Sequence, residues 1–211
     1  MEQNYVITIG RSIGAGGLST AKVLAEELGI KMYDKNLLLE VASRSGLCPE
    51  IFEKKDERAS RSKLTSLFGF RSLLQGNGSI TTDSIMNEES LFKIQSQVIR
   101  ELAEKESCII VGRCADYVLR QNPRCVSVFI NADPEIRVKR MMKEGADEDE
   151  VRALIAKGDK KRAEYYNYYT FKKWGDSASY DLCIDSGRFD SAAAVKDVII
   201  DYLKRRFPST F

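Results

Sequence analysis

Apolar residues along this chain follow two different periods in turn. Tyr5-Val6-Ile7-Thr8-Ile9, Cys108-Ile109-Ile110-Val111 and Cys125-Val126-Ser127-Val128-Phe129-Ile130 are strand-length runs, rich in β-branched residues and apolar almost throughout. A strand that does not alternate apolar with polar is covered on both faces, as in a parallel sheet. Shorter runs, Ile30 to Tyr33 and Tyr180 to Ile184, add two further strands. Between them the spacing changes to that of amphipathic helices: Ala21, Leu24, Ala25 and Leu28; Phe92, Ile94, Val98, Ile99 and Leu102; Ala194, Val195, Val198, Ile199 and Leu203. Helices are predicted over Ser19–Leu28 (stopped by Gly29), Lys35–Ser45 (stopped by Gly46), Leu91–Lys105, Ala115–Gln121, Pro134–Lys143, from about Asp147 towards Lys173, and Ser191–Arg206. Asp133 caps the helix that Pro134 opens. Strand and helix alternate, so the fold class is α/β with three layers: a five-stranded parallel sheet with helices on both faces.

The first strand runs into Gly10-Arg11-Ser12-Ile13-Gly14-Ala15-Gly16-Gly17-Leu18-Ser19 and then into a helix. That order aims backbone N–H groups and a helix N-terminus at one point, which suits an anion and above all a phosphate. Gly14, Gly16 and Gly17 let the backbone come within hydrogen-bond distance of phosphate oxygens. Ser19 either caps the helix or places its hydroxyl on a metal-bound water. The usual phosphate-loop pattern has a lysine where this chain has Gly17. A turn that only joins strand to helix is the alternative.

Composition narrows the field. With 211 residues and 43% apolar content, one core with an accessory segment is expected. Residues 56–90 lack apolar periodicity and read as a surface excursion anchored by Leu67, Phe68 and Phe70. Lys+Arg 33 against Asp+Glu 31 leaves a charge of +2, too balanced to argue for a nucleic-acid or membrane-surface partner. No apolar run reaches spanning length and the chain starts on a strand, so a soluble, cytoplasmic protein is expected. The five cysteines are scattered and read as reduced thiols, mostly in the core. There is no histidine, which excludes Ser/His and Cys/His nucleophiles.

Ligand crevices in such sheets lie at the carboxyl ends of strands. Asp34 falls there, as site residue or helix cap, and so does Gly112-Arg113, an arginine placed to grip a phosphate bidentately; the two strands that carry them are expected to flank the loop strand. Arg137 and Arg140, three apart, share a helix face. The charged segment 134–173 suits a helical lid hinged at Gly145 and Gly158, closing on polyphosphate. The aromatic cluster Tyr165, Tyr166, Tyr168, Tyr169, Phe171 and Trp174 is expected to pack the end of the long helix onto the core.

Ile7-Thr8-Ile9-Gly10-Arg11 with Gly14-Ala15-Gly16-Gly17, Tyr33-Asp34-Lys35, Ile110-Val111-Gly112-Arg113, Asp133-Pro134-Glu135-x-Arg137-x-x-Arg140, and Arg162-x-x-Tyr165-Tyr166 with Tyr180-Asp181-Leu182 occur in this order over nearly the whole chain. Together they resemble the cytidylate kinase-like family of P-loop nucleoside monophosphate kinases. The resemblance implies one kinase domain over residues 1–211, with 56–90 as a variable acceptor-side segment, using ATP and Mg²⁺ to phosphorylate a nucleoside monophosphate, CMP first. Gly10, Arg11, Ser12, Gly14, Ala15, Gly16, Gly17, Leu18 and Ser19 then hold ATP, Ser19 reaching Mg²⁺ indirectly. Asp34, Gly112 and Arg113 take the acceptor, and Arg137, Arg140 and Arg11 serve the transfer, Arg11 or a lid arginine replacing the missing lysine. Cytidylate kinases proper carry an aspartate where this chain has Cys114. Small-molecule nucleotides are the expected partners, with a monomer or weak homodimer. Two alternatives stand: a non-catalytic ATP-binding regulatory module, and a short-chain dehydrogenase suggested by Gly10-x-x-x-Gly14-x-Gly16 and Tyr169-x-x-x-Lys173.

Overall fold

A computed structural model describes residues 4–44, 82–142 and 146–211. Strands β1 (Val6–Arg11), β2 (Lys31–Tyr33), β3 (Cys108–Val111), β4 (Cys125–Asn131) and β5 (Leu182–Asp185) form one sheet in the order β2-β3-β1-β4-β5, with every neighbouring pair parallel. All four residues of β3 are buried, as an apolar run without alternation requires. The helices are α1 (Gly17–Leu28), α2 (Lys35–Arg44), α3 (Thr82–Lys105), α4 (Ala115–Val118), α5 (Pro134–Met141), α6 (Glu148–Thr170) and α7 (Ala192–Arg206). Met1–Asn36 with Ile99–Phe211 forms one compact unit and Leu37–Val98 another. In the second, Leu38 of α2 and Val98 of α3 are buried.

In the larger unit one face of the sheet, carrying Ile7, Ile9, Ile109, Val128 and Ile130, packs on Ala21 and Leu24 of α1 and on Val195, Ile199 and Leu203 of α7. On the other face lies Phe129, against which Trp174 and Tyr180 pack with ring centroids 5.2 and 5.0 Å away, while Tyr166 stacks on Tyr180. The expected packing role of the aromatic cluster therefore holds for Tyr166 and Trp174; Tyr168 and Phe171 are exposed. Short α4 packs near β1 and β4.

From β1 the chain goes to one side for β2 and β3, then crosses to the other for β4 and β5. Such a reversal opens a crevice at the carboxyl end of the central strand. One expectation is overturned here: Asp34 follows an edge strand, because β3 lies between β2 and β1, and only the strand ahead of Arg113 flanks the loop strand.

Local signals explain most element ends. Gly29 stops α1 in the left-handed conformation, and its N–H donates to the Ala25 and Glu26 carbonyls. Asp133 Oδ1 accepts from the Glu135 N–H at 2.9 Å, with Pro134 opening α5. Gly158, expected as a hinge, is instead buried inside the uninterrupted α6. The helix stop at Gly46, most of the 56–90 excursion with its anchors Leu67, Phe68 and Phe70, Cys48, Lys143 and the break at Gly145 lie outside the described residues. Of the other cysteines, Cys108 and Cys114 are buried, Cys183 is exposed, and all four are free thiols. No described helix is long and apolar enough to cross a membrane.

Candidate active site

The glycine loop begins where β1 ends. Its backbone turns through left-handed Gly14 and Gly16, each with φ of 76°. At Gly14 a side chain's first carbon would come 2.8 Å from the Arg137 carbonyl oxygen, so the loop lies directly against α5. Gly16 is the N-cap of α1, and no side chain caps the helix. Ser19 is therefore not the cap; it lies exposed in the first turn, because a left-handed Gly16 starts the helix two residues earlier than expected. The N–H groups of Gly17, Leu18 and Ser19 have no intrahelical acceptor by geometry. They add to the anion-attracting end of a twelve-residue helix.

Gly17 has a tertiary reason. A first side-chain carbon there would lie 2.6 Å from Arg11 Cβ and 2.9 Å from Arg11 Cγ. The Arg11 side chain thus crosses the loop at the position from which a lysine would otherwise extend. It then runs on to Gly112, where an added carbon would meet Arg11 Nη1. Arg162 of α6 donates from Nη1 to the Arg11 carbonyl at 2.9 Å. Burial, then the charges of Arg162 and Arg113, hold the Arg11 guanidinium well below its ordinary range, and Asp34 only partly offsets them. Arg11, Arg113 and Arg162 are therefore crowded positive charges beside donor-rich backbone. Such a site attracts an anion.

Gly112, Arg113 and Cys114 follow β3 with φ of 78°, 59° and 55°, three left-handed residues in succession. The Arg113 guanidinium lies over the Tyr165 ring, 5.2 Å from its centroid. Three residues on, Asp116 accepts from the Tyr166 hydroxyl at 2.7 Å, and burial pushes its carboxyl up. Burial also pushes the Cys114 thiol up to about 12, which keeps it neutral. Asp34 caps α2, accepting from the Asn36 N–H at 2.9 Å, and its charge acts favourably on Arg11.

Arg137 and Arg140 sit on the opposite flank of the loop. Asp159 of α6 accepts from the Ile13 N–H at 2.8 Å and pairs with the Arg137 guanidinium, which also reaches the Ile13 carbonyl. Arg140 donates to the Ser186 hydroxyl and carbonyl, both at 2.9 Å, and the Ser186 hydroxyl donates to the Ala15 carbonyl at 2.7 Å. In this structure both arginines brace the loop. Beyond Ser186 a cleft of about 480 Å³ opens between Asn131, Asp133, Ile136, Asp185 and Arg188. At Gly187 on its wall an added carbon would lie 2.7 Å from Ile136 Cδ1, so the Ile136 side chain would have to shift.

Against known proteins, the chain matches the cytidylate kinase-like family over residues 6–188. The chain belongs to that family. Membership places it among the nucleotide kinases of P-loop fold. The cytidylate kinase of Archaeoglobus fulgidus is 28% identical to this family member over 92% of each chain, and that of Methanopyrus kandleri 26% identical over 96% of each. An uncharacterized protein from Eubacterium ventriosum superposes with a TM-score of 0.69 at 34% identity, over 95% of this chain and 99% of that one. Shikimate kinase from Bacteroides thetaiotaomicron, at 16% identity and TM-score 0.52 over 95% of this chain and 98% of that one, shares the fold.

Three residues of the candidate site in this cytidylate kinase-like protein were not singled out for it from the sequence. Arg162 had a signal in the Arg-x-x-Tyr-Tyr motif. Asp159 had only a faint one, as an acid in a basic stretch of α6. Ser186 had none: a serine after a strand is ordinary, and only the fold brings it to Arg140.

Proposed function

We propose that this protein transfers the γ-phosphoryl group of MgATP to a nucleoside monophosphate, with CMP the first acceptor to test. The observation that carries the reading is the path of Arg11 across Gly17: its stem fills the place from which a lysine would extend, and its guanidinium ends beside Gly112, next to the loop. Left-handed Gly14 and Gly16 form a cradle of the kind polyphosphate requires, and the first N–H groups of α1 stand at its edge. Gly10 is equally constrained, since a side chain there would meet Phe129. Among the described residues no three acidic, histidine or cysteine side chains form a metal site. Mg²⁺ is usually held by phosphate and water with one or two protein oxygens, here the Ser19 hydroxyl through water.

MgATP supplies the phosphoryl group and the metal's charge. The protein's own residues do the rest by position and charge, which is what phosphoryl transfer asks of them. The N–H groups of Gly14 and of Gly16 to Ser19 donate to phosphate oxygens, and Arg11 and Arg162 add positive charge beside them. Arg113, raised from β3 by Gly112, grips the acceptor phosphate, and Asp34 accepts from an acceptor hydroxyl or amino group. Arg137 and Arg140 hold the loop in register through Asp159 and Ser186. The cleft beyond Ser186 offers room for the nucleoside of ATP. The dehydrogenase alternative drops out with the family.

An ADP-release assay across CMP, dCMP, UMP, AMP and GMP tests the reading. At least one should stimulate turnover, and Arg113→Ala should raise the acceptor KM far more than the ATP KM. Absence of stimulation by every acceptor, with ATP still bound, would leave the non-catalytic module.

A further inference from the structure

We propose that Tyr165 is a positioning residue that holds Arg113 at the acceptor site through the face of its aromatic ring. This rests on the assignment of Arg113 to the acceptor phosphate. The Arg113 guanidinium lies 5.2 Å from the Tyr165 ring centroid, within the range where a cation is drawn to the ring's negative face.

Two features make such a holder necessary. Arg113 and Cys114 are non-glycine residues in the left-handed region, with φ of 59° and 55°, and such backbone persists only where its surroundings enforce it. Arg113 also repels Arg11, so an untethered side chain would swing away into water. A negative carboxylate at this point would neutralise the arginine and compete with the incoming phosphate. A ring face attracts the guanidinium and leaves its five N–H donors available in the plane.

The ring itself is fixed. Tyr169, one helical turn on, packs against it at 4.7 Å between centroids. The next residue, Tyr166, is anchored by its hydroxyl to Asp116 of α4, the helix that Cys114 caps. Arg113 and its aromatic platform are thereby tied to the same short helix from two directions, and α6 delivers Arg162 to Arg11 and Tyr165 to Arg113 within a single turn.

The test replaces Tyr165 by leucine, by phenylalanine and by phenylalanines of increasing ring fluorination, which drain the negative face at almost constant shape. Tyr165→Leu should raise the acceptor KM about five- to thirtyfold, leaving kcat and ATP KM within about twofold. Tyr165→Phe should restore most of the loss, and the logarithm of KM should climb in step with fluorination. A flat fluorination series, or a normal acceptor KM in the leucine variant, overturns the proposal; the series stays decisive if the leucine variant does not fold. If the wild-type protein phosphorylates no nucleoside monophosphate, the functional assignment has failed and a second measurement decides the contact on its own. The Arg113 Nε–Hε resonance should be displaced upfield by the ring in wild type and should return towards the ordinary position in Tyr165→Leu. An identical resonance in both proteins overturns the inference.

Discussion

Replacing Arg11 by methionine should make the protein more stable and catalytically dead. Methionine keeps the methylene stem that crosses Gly17 and removes the charge at its end. Burial and the neighbouring Arg162 and Arg113 push that guanidinium well below its ordinary range, down to about 9, net of the attraction from Asp34. At about 1.4 kcal/mol per pH unit this is a cost of about 5 kcal/mol for keeping the charge in place, and water and counter-ions reaching the partly exposed end of the side chain reduce it to about 2 kcal/mol. The sign is that of a cation penalised by the fold: the cost is present in full at neutral pH and fades only as pH rises through the lowered value. Removing it should raise Tm by about 4–8 °C for a chain of this length. Turnover should fall by about 10³ or more, the scale of a phosphoryl-stabilising arginine. Thermal melts by circular dichroism and the ADP-release assay measure the two effects. A variant that melts lower than wild type refutes the crowding argument, and one that retains turnover refutes the replacement of the loop lysine by Arg11.

Two further expectations follow from the same neighbourhood. Restoring a lysine with Gly17→Lys should abolish turnover, because its Cβ would lie 2.6 Å from Arg11 Cβ, and pairing it with Arg11→Gly should recover part of the loss; wild-type kcat in the single variant would show that the two side chains do not compete. Asp116 concerns pH: burial raises its carboxyl above the ordinary 3.8, so its folded form binds a proton more tightly than the unfolded chain does. Wild type should therefore gain stability relative to Asp116→Asn as pH falls from about 7 towards 4, and melting curves of the pair that stay parallel over that range would contradict the burial of this carboxyl.

The sheet and most helix ends were legible because their causes are local. β3 is a run of four apolar residues, Pro134 and Asp133 mark a helix start, and Gly29 marks a stop, each within a few positions of the feature it explains. The loop was legible for the same reason. What sequence alone could not show were relations across space. Gly17 looked like a defect in a phosphate loop until Arg11, six residues earlier, was found lying over it. Gly158 looked like a hinge because glycine is flexible, yet here it is a buried position in a continuous helix. The place of Asp34 depended on strand order, which no local pattern encodes. Helix α3 begins at Thr82, nine residues before its apolar periodicity becomes readable, since its first turns are polar.

Asp159 gives the loop a further property. By taking the Ile13 N–H and the Arg137 guanidinium together, its carboxylate satisfies one flank of an anion-seeking turn from within the chain. Gly14, pressed against the Arg137 backbone, is held by the same arrangement. The cradle's shape is thus preorganised by the protein's own acid. Polyphosphate binding then spends little on ordering the backbone, and more of the interaction energy is left for affinity. A loop that lacks the usual lysine and is tensioned by three like charges keeps its form because an internal anion shares the strain.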